Sequence, residues 1–339
     1  DVYKRQMGES AKPAKNGKSN AKPKAVKPEQ DKRIGILTSG GDAQGMNAAV
    51  RSAVRSAIVL GAKPFAIREG WLGAVQGGSC IHELTWGDVS NTISKGGTII
   101  GTARCPEFRD WEGRLKACEN LVKNGIDRLI SIGGDGSLRG TEELRQDWPK
   151  LLEQLVKEKR LSAAAAKAHP SLCIVGIVGS IDNDMAGTDM TIGTDSALNR
   201  ILAALDQLSS TAASHQRTFV VEVMGRNCGY LALMSAVAGG SDYVLIPENP
   251  PAPGWEDDMC TKLSEGRKHG RRDSIVVVAE GAKDQDGQAI TANYVAEAIE
   301  QRTGESARVT ILGHIQRGGT PSVYDRWMPT LLGYAAVQD

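Results

Sequence analysis

No apolar run among the 339 residues approaches the roughly 20 needed to span a bilayer, and the opening residues do not read as a signal peptide. No two cysteines form a CxxC pair: Cys80, Cys105, Cys118, Cys173, Cys228 and Cys260 are scattered. That disfavours a disulfide framework and a structural zinc site, and suits a reduced, cytoplasmic protein. No internal repeat is visible, and formal net charge is only +1. The charge is uneven. Residues 1–33 hold ten Lys and Arg against four Asp and Glu, a net of +6, which leaves −5 for the rest. A globular body of that sign is a poor nucleic-acid binder. What remains, 40% hydrophobic and 24% charged residues, is the profile of a globular protein of one large or two ordinary domains.

Residues 1–32 offer Lys, Ala, Pro, Ser and Asn with almost nothing to bury, and read as a disordered basic tail. DVYKRQ precedes Met7, which is expected to be the native start, with those six residues foreign to the protein. Order is expected from RIGILT (33–38). Strands are predicted at 63–67, 127–132, 173–178, 218–223, 242–247, 274–280 and 308–313, and helices at 46–60, 111–124, 138–160, 195–211, 228–239, 255–269 and 291–303. Continuous apolar strands alternating with helices predict a doubly wound α/β architecture, its largely parallel sheets covered on both faces. The charged stretch 145–170 is read as a surface insertion. Ligands of such folds sit beyond the carboxyl ends of the strands.

The loops expected at those ends carry the chemistry. TSGGDAQGMN (38–47) is neither a Walker A loop nor GxGxxG. Its glycines suit either a phosphate cradle or a tight turn. GGDGS (133–137) follows a strand, and Asp135 could hold magnesium or cap the next helix. GSIDND (179–184) follows CIVGIV, read as a buried strand. Asp182 and Asp184 stand two apart and would share a side in an extended segment, so their repulsion is expected to raise one pKa. One could take a proton from an alcohol and the other orient magnesium, or both could be turn residues. Arg217, Arg226, Arg308, His314 and Arg317 supply cations near glycines, a pattern that favours an anionic substrate.

In order and spacing, TSGGDAQGMNAAVR, GTARCPEFR, IGGDGS, GSIDNDMAGTDMTIGTDSAL, SHQRTFVVEVMGR, VVAEGA and GHIQRGGTPSVYDR closely resemble the 6-phosphofructokinases from about residue 33 to 326. The resemblance is strongest to the amino-terminal catalytic half of the eukaryotic, ATP-dependent type. It implies two Rossmann-like lobes: 33–193 with 316–339 for the nucleotide, and 194–315 for the sugar phosphate. It implies that fructose 6-phosphate is phosphorylated by ATP at its 1-hydroxyl, with Mg2+, in an allosterically controlled homo-oligomer, a tetramer or larger.

Carried over by position, Gly41, Arg104, Cys105, Gly134, Asp135, Gly136 and Ser137 would hold ATP, with Asp135 on magnesium. Asp182 would be the base, with Arg104 and Asp184 beside it in the chemistry. Ser180, Ile181, Asp182, Met224, Gly225, Arg226 and Glu280 would hold the sugar. Arg217, Arg308, His314, Ile315, Gln316 and Arg317 would take its phosphate end, Arg217 and Arg308 reaching in from a partner half. Pyrophosphate-using relatives carry Asp and Lys where Gly136 and Gly179 stand, so ATP is the expected donor. The sequence departs from the resemblance at 326–339, where Pro329 is expected to kink or break a helix. The expectation there is a fragment. It leaves as alternatives a non-catalytic or incomplete piece that binds sugar phosphate, a pyrophosphate-dependent relative, and, less well matched, a kinase of NAD or lipid.

Overall fold

The computed structural model describes residues 32–339. The basic tail and the expected start at Met7 lie outside the described residues.

Two sheets organise the chain. The first holds β1 (Arg33–Ser39), β2 (Lys63–Ile67), β3 (Ile81–Glu83), β4 (Arg128–Gly133) and β5 (Cys173–Val178), in the order β3-β2-β1-β4-β5. All neighbours are parallel except the short edge pair β2 and β3. The second holds β6 (Thr218–Val223), β7 (Tyr243–Leu245), β8 (Ser274–Ala279) and β9 (Ala307–Ile311), all parallel, in the order β7-β8-β6-β9. In each sheet the order reverses beside the first strand, between β1 and β4 and between β6 and β9. Such switch points open a crevice at the carboxyl ends.

The α-helices of the described chain are α1 (Met46–Val59), α2 (Trp71–Gln76), α3 (Trp111–Lys123), α4 (Asp135–Lys157), α5 (Ala163–Ala168), α6 (Thr194–His215), α7 (Tyr230–Gly239), α8 (Trp255–Lys268), α9 (Ala292–Thr303) and α10 (Tyr324–Gln338). Period-two alternation explains the apolar strand runs. Ile36 and Ile130 face one core, while Leu37 and Leu129 face another. Val277 shares the first core, whereas Val276 and Val278 enter a third. The first core contains residues of both sheets and of α1, α6, α7 and α10, which form a middle layer. Helices α2, α3 and α4 cover the far face of the first sheet, and α8 and α9 that of the second.

Three sequence expectations need correction. Residues 145–157 are not a surface insertion: they continue α4, and Trp148, Leu151 and Leu155 are fully buried in the second core. Strand β5 is an edge strand; Ile177 is buried but Cys173 is exposed. Helix α10 runs through Pro329 without breaking. The carbonyl that Pro329 leaves without its helical donor is that of Asp325, and it packs against Gly45, where a Cβ would lie 2.4 Å from it. Burial of Pro329 against α1 offsets the lost bond. The short elements β3 and α2 gave too little periodic signal to be anticipated.

Candidate active site

Strands β1, β4 and β5 end side by side, and their loops touch. Gly133 pairs with both Ser39 and Val178. A Cβ on Gly133 would meet the Ser39 carbonyl at 2.3 Å, so this close approach requires glycine. The Ser137 hydroxyl donates to Ser39 Oγ at 3.0 Å, and the Ser137 N–H to Gly134 O at 3.0 Å. Ser137 therefore ties the two loops together, and both of these donors are already engaged. Thr102 brings the next segment in, donating to Gly40 O at 2.8 Å. Beyond it, Arg104 is exposed and Cys105 half-buried.

Gly136 has open space around it, with nothing within 4 Å of where a Cβ would stand. Gly179 is the opposite case, since its Cβ would meet Met46 Cε at 2.8 Å. Asp135 opens α4 and does not cap it; its carboxylate pairs with Arg139 at 2.9 Å in solvent. Among the described residues, no three His, Cys, Asp or Glu gather as a metal cage. A lone carboxylate at a glycine-rich helix start fits magnesium, which completes its shell with phosphate oxygens and water.

The turn after β5 is not extended. Asn183 takes φ 54°, and the two aspartates end in different surroundings. Asp184 is exposed, whereas Asp182 is only 4% exposed and its Oδ1 is buried without a hydrogen-bond partner. Burial pushes the Asp182 carboxyl above the ordinary range. Arg317 pulls it back, and Asp184 and Glu280 push it further up. Repulsion between the two aspartates is thus present but secondary to burial. Ser180 Oγ accepts the Asp182 N–H at 3.2 Å and donates to Asp184 Oδ1 at 3.3 Å. Ile181 beside them is fully buried.

The second sheet supplies the facing wall. After β6, Met224 donates its N–H to Gln316 Oε1 at 3.1 Å, and Arg226 donates its N–H to Glu280 Oε1 at 2.6 Å. Gly225, at φ 142°, leaves only 2.3 Å between a notional Cβ and Cys228 O. The turn after β9 exposes His314 and Ile315 and buries Gln316. Arg317 donates to Asp42 O at 3.1 Å and lies against Gly41. Its charge also reaches Asp182 electrostatically. Gln44, which sequence reasoning missed, is fully buried and donates to Gln316 O at 2.8 Å and Gly318 O at 2.9 Å. Its only sequence signal was a polar residue just ahead of an apolar helix.

Two predicted residues are not brought to this place. Arg217 precedes β6, whose far end carries Met224, a span of roughly 20 Å. Arg308 pairs with Phe219 at the same amino edge and sits 3.7 Å from Glu300. The remaining groups lie where loops of the two sheets meet, with a buried carboxylate in the electrostatic reach of two guanidinium groups. That arrangement can abstract a proton beside an anion.

The family profile described as Phosphofructokinase matches residues 33–339. The chain belongs to this family. It is 56% identical over 306 residues to the liver-type ATP-dependent 6-phosphofructokinase of Mus musculus, across 90% of this chain and 39% of that protein. It is 54% identical over 307 residues to ATP-dependent 6-phosphofructokinase 2 of Aspergillus oryzae, across 91% of this chain and 40% of that protein. The solved phosphofructokinase of Saccharomyces cerevisiae matches with a TM-score of 0.89 and 50% identity, over 91% of this chain and 41% of that one. The chain spans about two fifths of the length of these relatives.

Proposed function

We propose that this chain transfers the terminal phosphoryl group of ATP to the 1-hydroxyl of fructose 6-phosphate, giving fructose 1,6-bisphosphate and ADP. The observation that carries the proposal is Asp182: a buried carboxylate with one unpartnered oxygen, in the electrostatic reach of Arg317 and Arg226, at the carboxyl end of β5. Asp182 accepts the hydroxyl proton as the sugar oxygen attacks phosphorus. Ser180 and Asp184 fix the turn, and Arg104 neutralises charge on the moving group. Met224, Gly225, Arg226 and Glu280 hold the sugar; His314, Ile315, Gln316 and Arg317 hold its phosphate end. The loops at Gly41, Cys105 and Gly134–Ser137 hold the nucleotide in the lobe of the first sheet, and 194–315 forms the sugar lobe. Asp135 would hold magnesium, which supplies charge neutralisation on the phosphates. Positioning and electrostatics do most of the work in such a transfer.

Two glycines support ATP over pyrophosphate as donor. Space at Gly136 is open to a nucleotide, and a side chain at Gly179 would first have to displace the Met46 methyl. A coupled assay with ATP, magnesium and fructose 6-phosphate tests the proposal. Turnover is expected from the parent, and Asp182→Ala is expected to lose about 10²–10⁴-fold. Equal rates would refute it.

A second reading has one observation behind it. Arg217 and Arg308 lie at the far edge of the second sheet, so a single copy lacks part of the phosphate pocket and would bind sugar phosphate without efficient turnover. On that reading, activity rises steeply with protein concentration as a second copy supplies both arginines.

A further inference from the structure

We infer that Asp325 is a positioning residue for Asp182: it locks the turn that carries the base to the start of α10, without touching the substrate. The inference rests on Asp182 being the base. Asp325 is fully buried. Its Oδ1 accepts the Gly193 N–H at 2.8 Å, and its Oδ2 accepts the Ser196 N–H at 2.8 Å and the Ser196 hydroxyl at 2.6 Å. Helix α6 has no side-chain cap of its own, because its N-cap is Gly193 at φ 102°. The cap comes instead from a carboxylate 132 residues further along the chain.

The clasp is reciprocal. Ser322 donates its N–H to Ser196 Oγ at 2.9 Å and its hydroxyl to Asp195 Oδ2 at 2.5 Å. Asp325 donates its own N–H back to Ser322 Oγ at 3.2 Å. From the clasped helix start, the bonds lead to the base. Thr191 and Thr194 both donate to the Ser180 carbonyl, at 2.5 Å and 3.2 Å. The Ser180 N–H donates to Ile192 O at 3.1 Å, and Ser180 Oγ takes the Asp182 N–H. Gly193 packs so closely on Ala43 and Ile181 that a Cβ would lie 2.6 Å and 3.1 Å from them. A shift of Gly193 is therefore passed to Ile181, next to the base, and to Ala43 in the first loop. The Asp325 carbonyl presses on Gly45 at the start of α1, which adds the first phosphate loop to the same lock.

A cap that served only α6 would support the fold and leave the chemistry alone. Asp325→Asn separates the two roles, because it keeps the shape but turns one acceptor oxygen into an amide that faces a backbone N–H. Expected is a fall in kcat of about tenfold to 100-fold, the scale of a displacement near 1 Å, with KM for ATP and for fructose 6-phosphate held within about twofold. In an Asp182→Ala background the same substitution is expected to cost nothing further, since both changes act on one proton transfer. Ser196→Ala removes part of the clasp more gently and is expected to move kcat the same way by less. It carries the comparison if Asp325→Asn does not fold.

Amide hydrogen exchange reads the link without turnover. Residues 180–192 are expected to exchange faster in either variant, while α3 and α8 keep their protection. Unchanged kcat, an equal fractional loss in the Asp182→Ala background, or unchanged exchange at 180–192 would overturn the inference. With a parent chain that shows no turnover, exchange at 180–192 alone decides the lock.

Discussion

Asp182 combines a catalytic proposal with a stability cost. Its folded pKa is raised, chiefly by burial. The native state therefore holds its proton to higher pH than the unfolded chain does. The stability contributed by this group is fully present below the unfolded value and is lost as pH rises through the folded one. Once pH exceeds the folded value the ionised, buried carboxylate weakens the fold, and Asp182→Asn is expected to raise Tm there while abolishing turnover. Thermal unfolding over a pH series checks the sign, because the gain should shrink as pH falls. The same shift predicts that kcat falls as pH drops through the raised midpoint, and a pH–rate profile of the parent reads it. With the nucleotide seated as proposed, Gly136→Asp is expected to weaken ATP binding at least about tenfold with Tm unchanged, since its side chain enters open space and would place a like charge beside phosphate. Calorimetry with ATP measures both halves of that statement.

Helices show where sequence patterning was informative and where it failed. Most strands and long helices were legible because both sheets are buried on two faces and their runs are continuously apolar. Helix α4 was misjudged at its charged middle, where Trp148 and the leucines after it sit among Arg, Asp, Lys and Glu. One buried stripe suffices to make such a helix part of the core. Trp148→Ala is accordingly expected to cost about 3–5 kcal/mol, measurable by urea unfolding. Pro329 misled for a different reason: proline chemistry predicts a lost hydrogen bond, but only the fold shows the freed carbonyl seated on Gly45. Loop residues were legible by type more than by use. Ser137 has the chemistry of a phosphate ligand, yet its hydroxyl joins two loops. Gln44 and Asp325 act through partners more than 100 residues away, which no local pattern reveals.

At the scale of the whole molecule, the candidate site draws on both sheets, and Gln44, Gln316 and Met224 stitch their loops together. Arg217 and Arg308 stand at the opposite edge of the second sheet. If copies share sites, an Arg217→Ala chain mixed with an Asp182→Ala chain is expected to recover a fraction of parental activity that neither shows alone. A coupled assay on the two chains, separate and mixed, decides it; an inactive mixture would count against shared sites. The middle layer of α1, α6, α7 and α10 has a mechanical consequence. Helices α1 and α10 pack on the first sheet, α6 and α7 pack on the second, and the two pairs meet where α10 lies against α6. A change in the spacing of the two sheets is therefore expected at that seam, as helices gliding over one another by on the order of 1–2 Å.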